Sequence, residues 1–114
     1  MLTDISRYET EDSRQAEGRD MISDKEMSNL KQFYQAVLSL ENEDEVRKFF
    51  DDVATIKEIL DLSSRLEVAR MLYEKKVFSE ISKETGASSA TISRVNKCLT
   101  YGEGGYATAI ERMK

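Results

Sequence analysis

Apolar side chains recur at helical spacing along most of the chain, without a useful stretch of strand-like alternation. The pattern predicts a first helix from about Ser28, a second over residues 44–52, and a long third over residues 56–73. Asn42 and Glu45 have the spacing of a capping box before the second helix. The apolar positions of these helices are Leu30, Phe33, Tyr34, Val37, Leu38 and Leu40, then Val46, Phe49 and Phe50, then Ile56, Ile59, Leu60, Leu62, Leu66, Ala69, Met71, Leu72 and Tyr73. The predicted fold class is all-α.

Residues 78–99 have the pattern of two short helices joined by a tight turn. Gly86 suits the end of the first helix, because glycine readily adopts positive φ at a C-cap. Ser88 or Ser89 can cap the second helix, whose apolar stripe is Ile92, Val95 and Leu99. This is the layout of a helix-turn-helix, in which the second helix enters the DNA major groove.

The other side of that second helix has the side chains of a DNA-reading surface. Hydroxyl groups allow close approach to bases and phosphates, and arginine pairs with guanine or phosphate. The candidate DNA contacts are Ser88, Ser89, Ala90, Thr91, Ser93, Arg94 and Lys97. An ordinary helical hairpin with a solvated face has the same pattern, so both interpretations stay open from the residues alone.

The charge is distributed unevenly along the chain. The formal net charge is −5, but residues 1–62 contain 8 basic and 16 acidic side chains, whereas residues 75–114 contain 7 basic and 4 acidic ones. Phosphate binding depends on local positive potential, so the basic end permits DNA binding despite the acidic total.

Other chemistry has little support in the composition. Histidine is absent from the sequence and the single Cys98 is interpreted as a packing residue, so no metal site is predicted. The one notable carboxylate pair, Asp51 and Asp52, is more simply explained as solvated or helix-capping, and no enzyme is expected. With no membrane span and no signal peptide in the pattern, a cytoplasmic protein is expected.

The N-terminal stretch differs in composition from the remainder of the chain. Residues 1–27 have many charges, few apolar side chains and no helical period, and we expect a mobile arm there. Residues 28–114 are expected to form one helical DNA-binding and dimerisation domain. A glycine-rich break at residues 102–105 precedes a last helix, predicted over residues 106–112. The apolar faces of residues 30–40 and 56–73 exceed what one small domain can cover, so a homodimer is predicted.

Two segments carry a family resemblance. RLEVARML at residues 65–72 and ETGASSATISR at residues 84–94 resemble the tryptophan repressor superfamily, and its repressor-related YerC/YecD-type subgroup most. The resemblance covers residues 41–112. It implies a fold of five to six helices, an intertwined homodimer with two helix-turn-helix heads one DNA turn apart, and a sequence-specific repressor. A helical protein-interaction module without DNA binding is the alternative.

The resemblance also bears on a small-molecule effector. In the repressor the indole of tryptophan stacks between two arginines, and Arg94 matches one of them. Arg65 matches the other if a one-residue gap is placed near Lys75, whereas Ser64 falls there without the gap. Val95 replaces a glycine of the repressor and adds bulk where tryptophan needs room. Tryptophan is therefore not expected as co-repressor, no cofactor is predicted, and another small effector stays an alternative.

Overall fold

The computed structural model describes residues 21–114, which contain six α-helices and no strand. The all-α prediction is confirmed. The helices are α1 (Asp24–Leu38), α2 (Glu43–Val53), α3 (Ile56–Tyr73), α4 (Phe78–Thr85), α5 (Ser89–Tyr101) and α6 (Gly105–Met113). These residues divide after Thr55 into an N-terminal unit, residues 21–55, and a C-terminal unit, residues 56–114.

Helix α1 begins with a complete capping box. Ser23 Oγ accepts a hydrogen bond from the Glu26 N–H at 3.1 Å, and Glu26 Oε1 accepts from the Ser23 N–H at 3.0 Å. The predicted start at Ser28 is therefore wrong, because the capping signal lies five residues earlier and Ser28 is inside the helix. Residues 24–27 of the predicted mobile arm are helical, while residues 1–20 lie outside the described part of the chain.

Helix α2 is capped by Asn42, as predicted. Asn42 Oδ1 accepts from the Glu45 N–H at 2.9 Å, and the Glu45 carboxylate accepts from the Glu41 N–H at 2.9 Å. In a complete capping box the Glu45 carboxylate would accept from the N–H of Asn42, the N-cap residue. Here it accepts from the N–H of Glu41, the residue before the cap. Local hydrogen bonds to exposed N–H groups therefore determine where this helix begins.

The N-terminal unit has an aromatic cluster but no buried side chain in α1 or α2. Phe33 lies 5.8 Å from Phe49 and 6.4 Å from Phe50 between ring centroids, and the Phe49 and Phe50 rings meet edge to face at 5.5 Å. The two phenylalanines of α2 are half-buried, and Val46, the third apolar position of the predicted second helix, is exposed. The apolar faces of α1 and α2 are therefore incompletely covered in the single chain.

The C-terminal unit has a closed core. Helix α3 packs against α4, α5 and α6, and α5 also packs against α4 and α6. The core side chains are Val68, Ala69, Met71, Ile81, Ile92, Val95 and Ile110. Two members of the predicted α5 stripe, Ile92 and Val95, are buried, whereas Leu99 is half-buried near the end of the helix. This core positions α5 against the rest of its unit.

Candidate nucleic-acid interface

The turn between α4 and α5 is closed by short-range hydrogen bonds. Gly86 has φ of 76°, the left-handed conformation predicted for it, and its N–H donates to the Ser82 carbonyl at 2.9 Å. Thr85 Oγ1 donates to the Ile81 carbonyl at 2.7 Å and accepts from the Ala87 N–H at 3.1 Å. Ser82 Oγ donates to the Ala87 carbonyl at 3.0 Å. These bonds define the direction in which the chain enters α5.

Ser88 is the N-cap of α5, which settles the choice between Ser88 and Ser89. Its Oγ accepts from the Thr91 N–H at 3.1 Å and donates to Thr91 Oγ1, also at 3.1 Å. The Ser88 hydroxyl is exposed but already engaged in capping. Thr91 is half-buried, although the sequence pattern placed it on the exposed side of the helix, opposite the apolar stripe. Both residues therefore stabilise the start of α5 whatever else they contact.

The remaining candidate contacts lie on the outer surface of α5. Exposed side chains at three- and four-residue spacing share one side of a helix, opposite the buried Ile92 and Val95. The exposed candidates on α5 are Ser89, Ala90, Ser93, Arg94 and Lys97. The structure therefore brings these five residues together on a face accessible to a partner.

The charge of this face is uncompensated. Arg94 and Lys97 are the charged residues of α5, which contains no acidic side chain, and neither forms an ion pair within residues 21–114. Helix α2 differs, because Arg47 bridges Asp44 at 3.0 Å and Asp51 at 3.2 Å. The α5 cations are thus available to an external anion such as a phosphate.

Two open cavities lie beside α5. One, of about 300 Å³, is lined by Arg65, Thr91, Arg94, Val95, Cys98 and Tyr106. The other, of about 330 Å³, is lined by Asp61, Ser64, Arg65, Gly86, Ala87, Ser88 and Thr91. Arg65 and Arg94, the two predicted effector-pocket residues, thus share one cavity, while Ser64 faces the other. Their predicted role in binding an effector stays a prediction.

Sequence reasoning did not single out Tyr106 as a site residue. Its helix is separated from α5 by the break at Gly102, and helical spacing does not carry across a break in the helix. The side chains that close the turn, Thr85 and Ser82, were also missed. A threonine directly before a predicted C-cap glycine is a usable signal for such a bond, because threonine hydroxyls often bond to the carbonyl four residues earlier.

Comparison with known proteins assigns the family. The sequence model described as "Trp repressor protein" matches residues 28–114. The uncharacterized protein YerC of Bacillus subtilis (strain 168) is 52% identical over 85 residues, covering 75% of this chain and 82% of that protein. The chain belongs to the Trp repressor protein family.

Solved structures agree with this assignment. A TrpR-like protein from Eubacterium eligens superposes with a TM-score of 0.73 at 52% identity, covering 75% of this chain and 89% of its own. A proposed Trp repressor from Staphylococcus aureus has a TM-score of 0.72 at 43% identity, covering 75% of this chain and 86% of its own. The predicted resemblance is confirmed at the level of family and fold.

Two further observations concern the described residues only. Within residues 21–114, no helix combines the length and apolar character that crossing a bilayer requires. The same residues contain no group of three or more acidic or cysteine side chains placed to hold a metal ion.

Proposed function

We propose that this protein is a sequence-specific DNA-binding transcription regulator, acting as a repressor in the cytoplasm, and that α4 and α5 form its helix-turn-helix. The observation that carries the proposal is the outer face of α5, where Arg94 and Lys97 form no ion pair with any of residues 21–114 and the small side chains of Ser89, Ala90 and Ser93 lie beside them. Membership of the Trp repressor family supports it. The proposal assigns no catalytic activity.

The proposed reading mode follows from the amino acids on that face. Small side chains near the N-terminal end of a recognition helix let the backbone approach base edges closely. Arg94 can form paired hydrogen bonds to guanine O6 and N7 or contact a phosphate, and Lys97 is suited to a phosphate. Ser88 and Thr91 would contribute chiefly by holding the start of α5 in place.

We propose that the regulator is a homodimer. Several apolar side chains on α1 and in the first turns of α3 are largely exposed, with exposed fractions of 82% for Leu38, 67% for Ile56 and 60% for Leu60. A second copy supplies the cover that these side chains lack, and it places two reading helices on one duplex. Sedimentation should show a dimer at micromolar concentration, and a stable, folded monomer there would contradict this part of the proposal.

The proposed regulator does not use tryptophan as a co-repressor and needs no cofactor. Val95 is buried and lines the cavity that Arg65 and Arg94 share, so its methyl groups occupy space next to both arginines. Calorimetric titration with tryptophan should show no binding in the micromolar range. Saturable binding accompanied by a gain in DNA affinity would contradict this part.

The decisive experiment is duplex binding as a function of salt. Fragments selected from genomic DNA should share a palindrome with half-sites about 10 base pairs apart. Affinity for the selected duplex should fall steeply between about 50 and 200 mM salt, because phosphate contacts release counterions. Absence of duplex affinity at low salt would favour the protein-interaction module instead.

Substitutions on α5 assign the contacts. Lys97→Ala should weaken binding to all duplexes alike and reduce the slope of log affinity against log salt by about 1, the signature of one lost phosphate contact. Arg94→Ala should either act the same way or relax preference at one guanine. The matched control is Lys48→Ala, which removes the same charge from a lysine paired with Asp44 at 3.0 Å. If both α5 variants bind like the control, this face does not contact DNA.

A further inference from the structure

Tyr106 is the one aromatic side chain among the residues that line the cavity of about 300 Å³ beside α5. The other walls come from α3, through Arg65, and from α5, through Thr91, Arg94, Val95 and Cys98. Tyr106 itself lies in the first turn of α6. The cavity is therefore a meeting point of three helices, and a single ring from α6 faces the other two.

The ring of Tyr106 is held against the unit rather than directed into solvent. It is half-buried and packs against the core cluster that includes Ile92 and Val95. Burial raises the pKa of the Tyr106 hydroxyl, the nearby Cys98 thiol raises it further, and the positive charges of Arg65 and Arg94 oppose the shift. The hydroxyl end is thus partly withdrawn from water and lies within electrostatic range of both guanidinium groups.

The link between α5 and α6 is short and tightly constrained. Helix α5 ends at Tyr101, and the Gly102 N–H donates to the Cys98 carbonyl at 2.8 Å. A β-carbon on Gly102 would lie 2.4 Å from that carbonyl oxygen, so the backbone passes too close for any other residue. The chain then passes through Gly104, whose φ of 85° is left-handed, and the helix that follows, α6, packs against α5.

We propose that Tyr106 is a positioning residue for the reading helix: its ring packs against the core beside the cavity that α3 and α5 share, and holds α5 in its DNA-binding orientation without a small molecule. This inference rests on the DNA-binding function proposed above. Apparent affinity falls in proportion to the fraction of molecules whose binding site is correctly arranged. Loss of the ring therefore lowers DNA affinity although Tyr106 touches no DNA.

Helix α5 thus has two kinds of support. Ile92 and Val95 attach the helix to the core and determine whether it folds. Tyr106 supports α5 at the wall of the open cavity, and we expect it to limit how far the folded helix can tilt. Aromatic rings suit this role, because they fill a large volume with few rotatable bonds.

The test uses the full chain with Tyr106→Ala, Tyr106→Phe and, as matched control, Tyr101→Ala, which truncates a tyrosine of α5 that is 73% exposed. Affinity for the selected duplex should fall about tenfold or more in Tyr106→Ala, and stay within about twofold of the original in Tyr106→Phe and Tyr101→Ala. Amide hydrogen exchange in α5 should accelerate in Tyr106→Ala alone, with exchange in α1 unchanged.

Each outcome decides the inference. Equal duplex affinity and equal α5 exchange in Tyr106→Ala and the original chain would overturn it. Tyr106→Phe as impaired as Tyr106→Ala would also overturn it, because the hydroxyl rather than the ring would then be responsible. If Tyr106→Ala fails to fold, Tyr106→Leu removes the ring but retains apolar bulk for folding, and duplex affinity equal to that of the original chain in Tyr106→Leu would overturn the inference. If the original chain binds no duplex, the proposed function fails, while α5 exchange still tests the positioning role.

Discussion

The two units of the described chain reach helical structure by different means. Helices α1 and α2 have well-formed caps at Ser23 and Asn42 but contain no buried side chain. Helices α3 to α6 share a core of seven buried residues. Local signals are therefore sufficient to determine where a helix begins, whereas burial depends on what else the helix can contact. The N-terminal unit has the local capping signals but no buried side chain in its two helices.

The electrostatics of the two units also differ. In α2 both basic residues, Arg47 and Lys48, are bound to acidic side chains of the same helix, and the pKa of Asp44 is lowered first by Lys48 and then by Arg47. In α5 the basic residues, Arg94 and Lys97, have no acidic partner among residues 21–114. Charges that neutralise one another locally add little to stability at the surface. Unpaired charges on a firmly packed helix are instead available to a polyanion.

Ile92→Ala tests the core of the C-terminal unit and should have the largest effect. Ile92 is fully buried, so its truncation should lower the free energy of unfolding by roughly 2–5 kcal/mol. Urea denaturation measures this change. The control is Val77→Ala, at a position 61% exposed, which should change stability by less than about 0.5 kcal/mol. Equal effects of the two substitutions would mean that the core does not hold α5.

Leu38→Asp tests whether the uncovered face of α1 is an interface. In a monomer this residue is exposed and the substitution should be tolerated, but in the proposed homodimer it would bury a carboxylate. The dimer dissociation constant should rise by about tenfold or more, as measured by analytical ultracentrifugation. Gln32→Asp, at an exposed polar position of α1, is the control. An unchanged dissociation constant for Leu38→Asp would place the interface elsewhere.

Ser88→Ala tests the cap of the reading helix. Loss of the bond from the Thr91 N–H should lower the free energy of unfolding by about 1 kcal/mol. Ser89→Ala, at the next position and without a capping bond, should have little effect on stability. Thermal denaturation of the two variants side by side provides the comparison. Greater destabilisation by Ser89→Ala than by Ser88→Ala would contradict the observed cap.

The smallest expected effect concerns the attachment of α6 to α3. Tyr73 donates a hydrogen bond to Glu111 at 2.5 Å, and this bond, followed by Lys114, lowers the pKa of the Glu111 carboxyl. A carboxyl with a lowered pKa in the folded state stabilises the fold above its usual pKa of 4.5 and loses that contribution as the pH falls through the lowered value. Tyr73→Phe should therefore reduce stability slightly at pH 7 and hardly at pH 2. Equal loss at both pH values would assign the effect to packing.

The amino-acid sequence by itself determined the helical class, the family, and most helix boundaries. These depend on interactions within a few residues: the apolar period, the capping side chain of Asn42, and the positive φ that Gly86 adopts without strain. The start of α1 was misplaced although the sequence contains the signal for it: Glu26 follows Ser23 at the spacing of a capping box, whereas Lys31 stands at that spacing from Ser28. The candidate DNA-contact residues followed from the same short-range pattern.

Only the tertiary structure decided which of these residues line the same cavity and which are already hydrogen-bonded within the chain. It placed Arg65 and Arg94 in the lining of one cavity, and Ser64 with Arg65 in the lining of the other. It also showed Thr91 half-buried and Tyr106 packed beside α5. Such contacts join residues on different helices, and their formation depends on how the helices pack. A periodic pattern determines which face of a helix is apolar, but the neighbour that covers that face is specified by the whole fold.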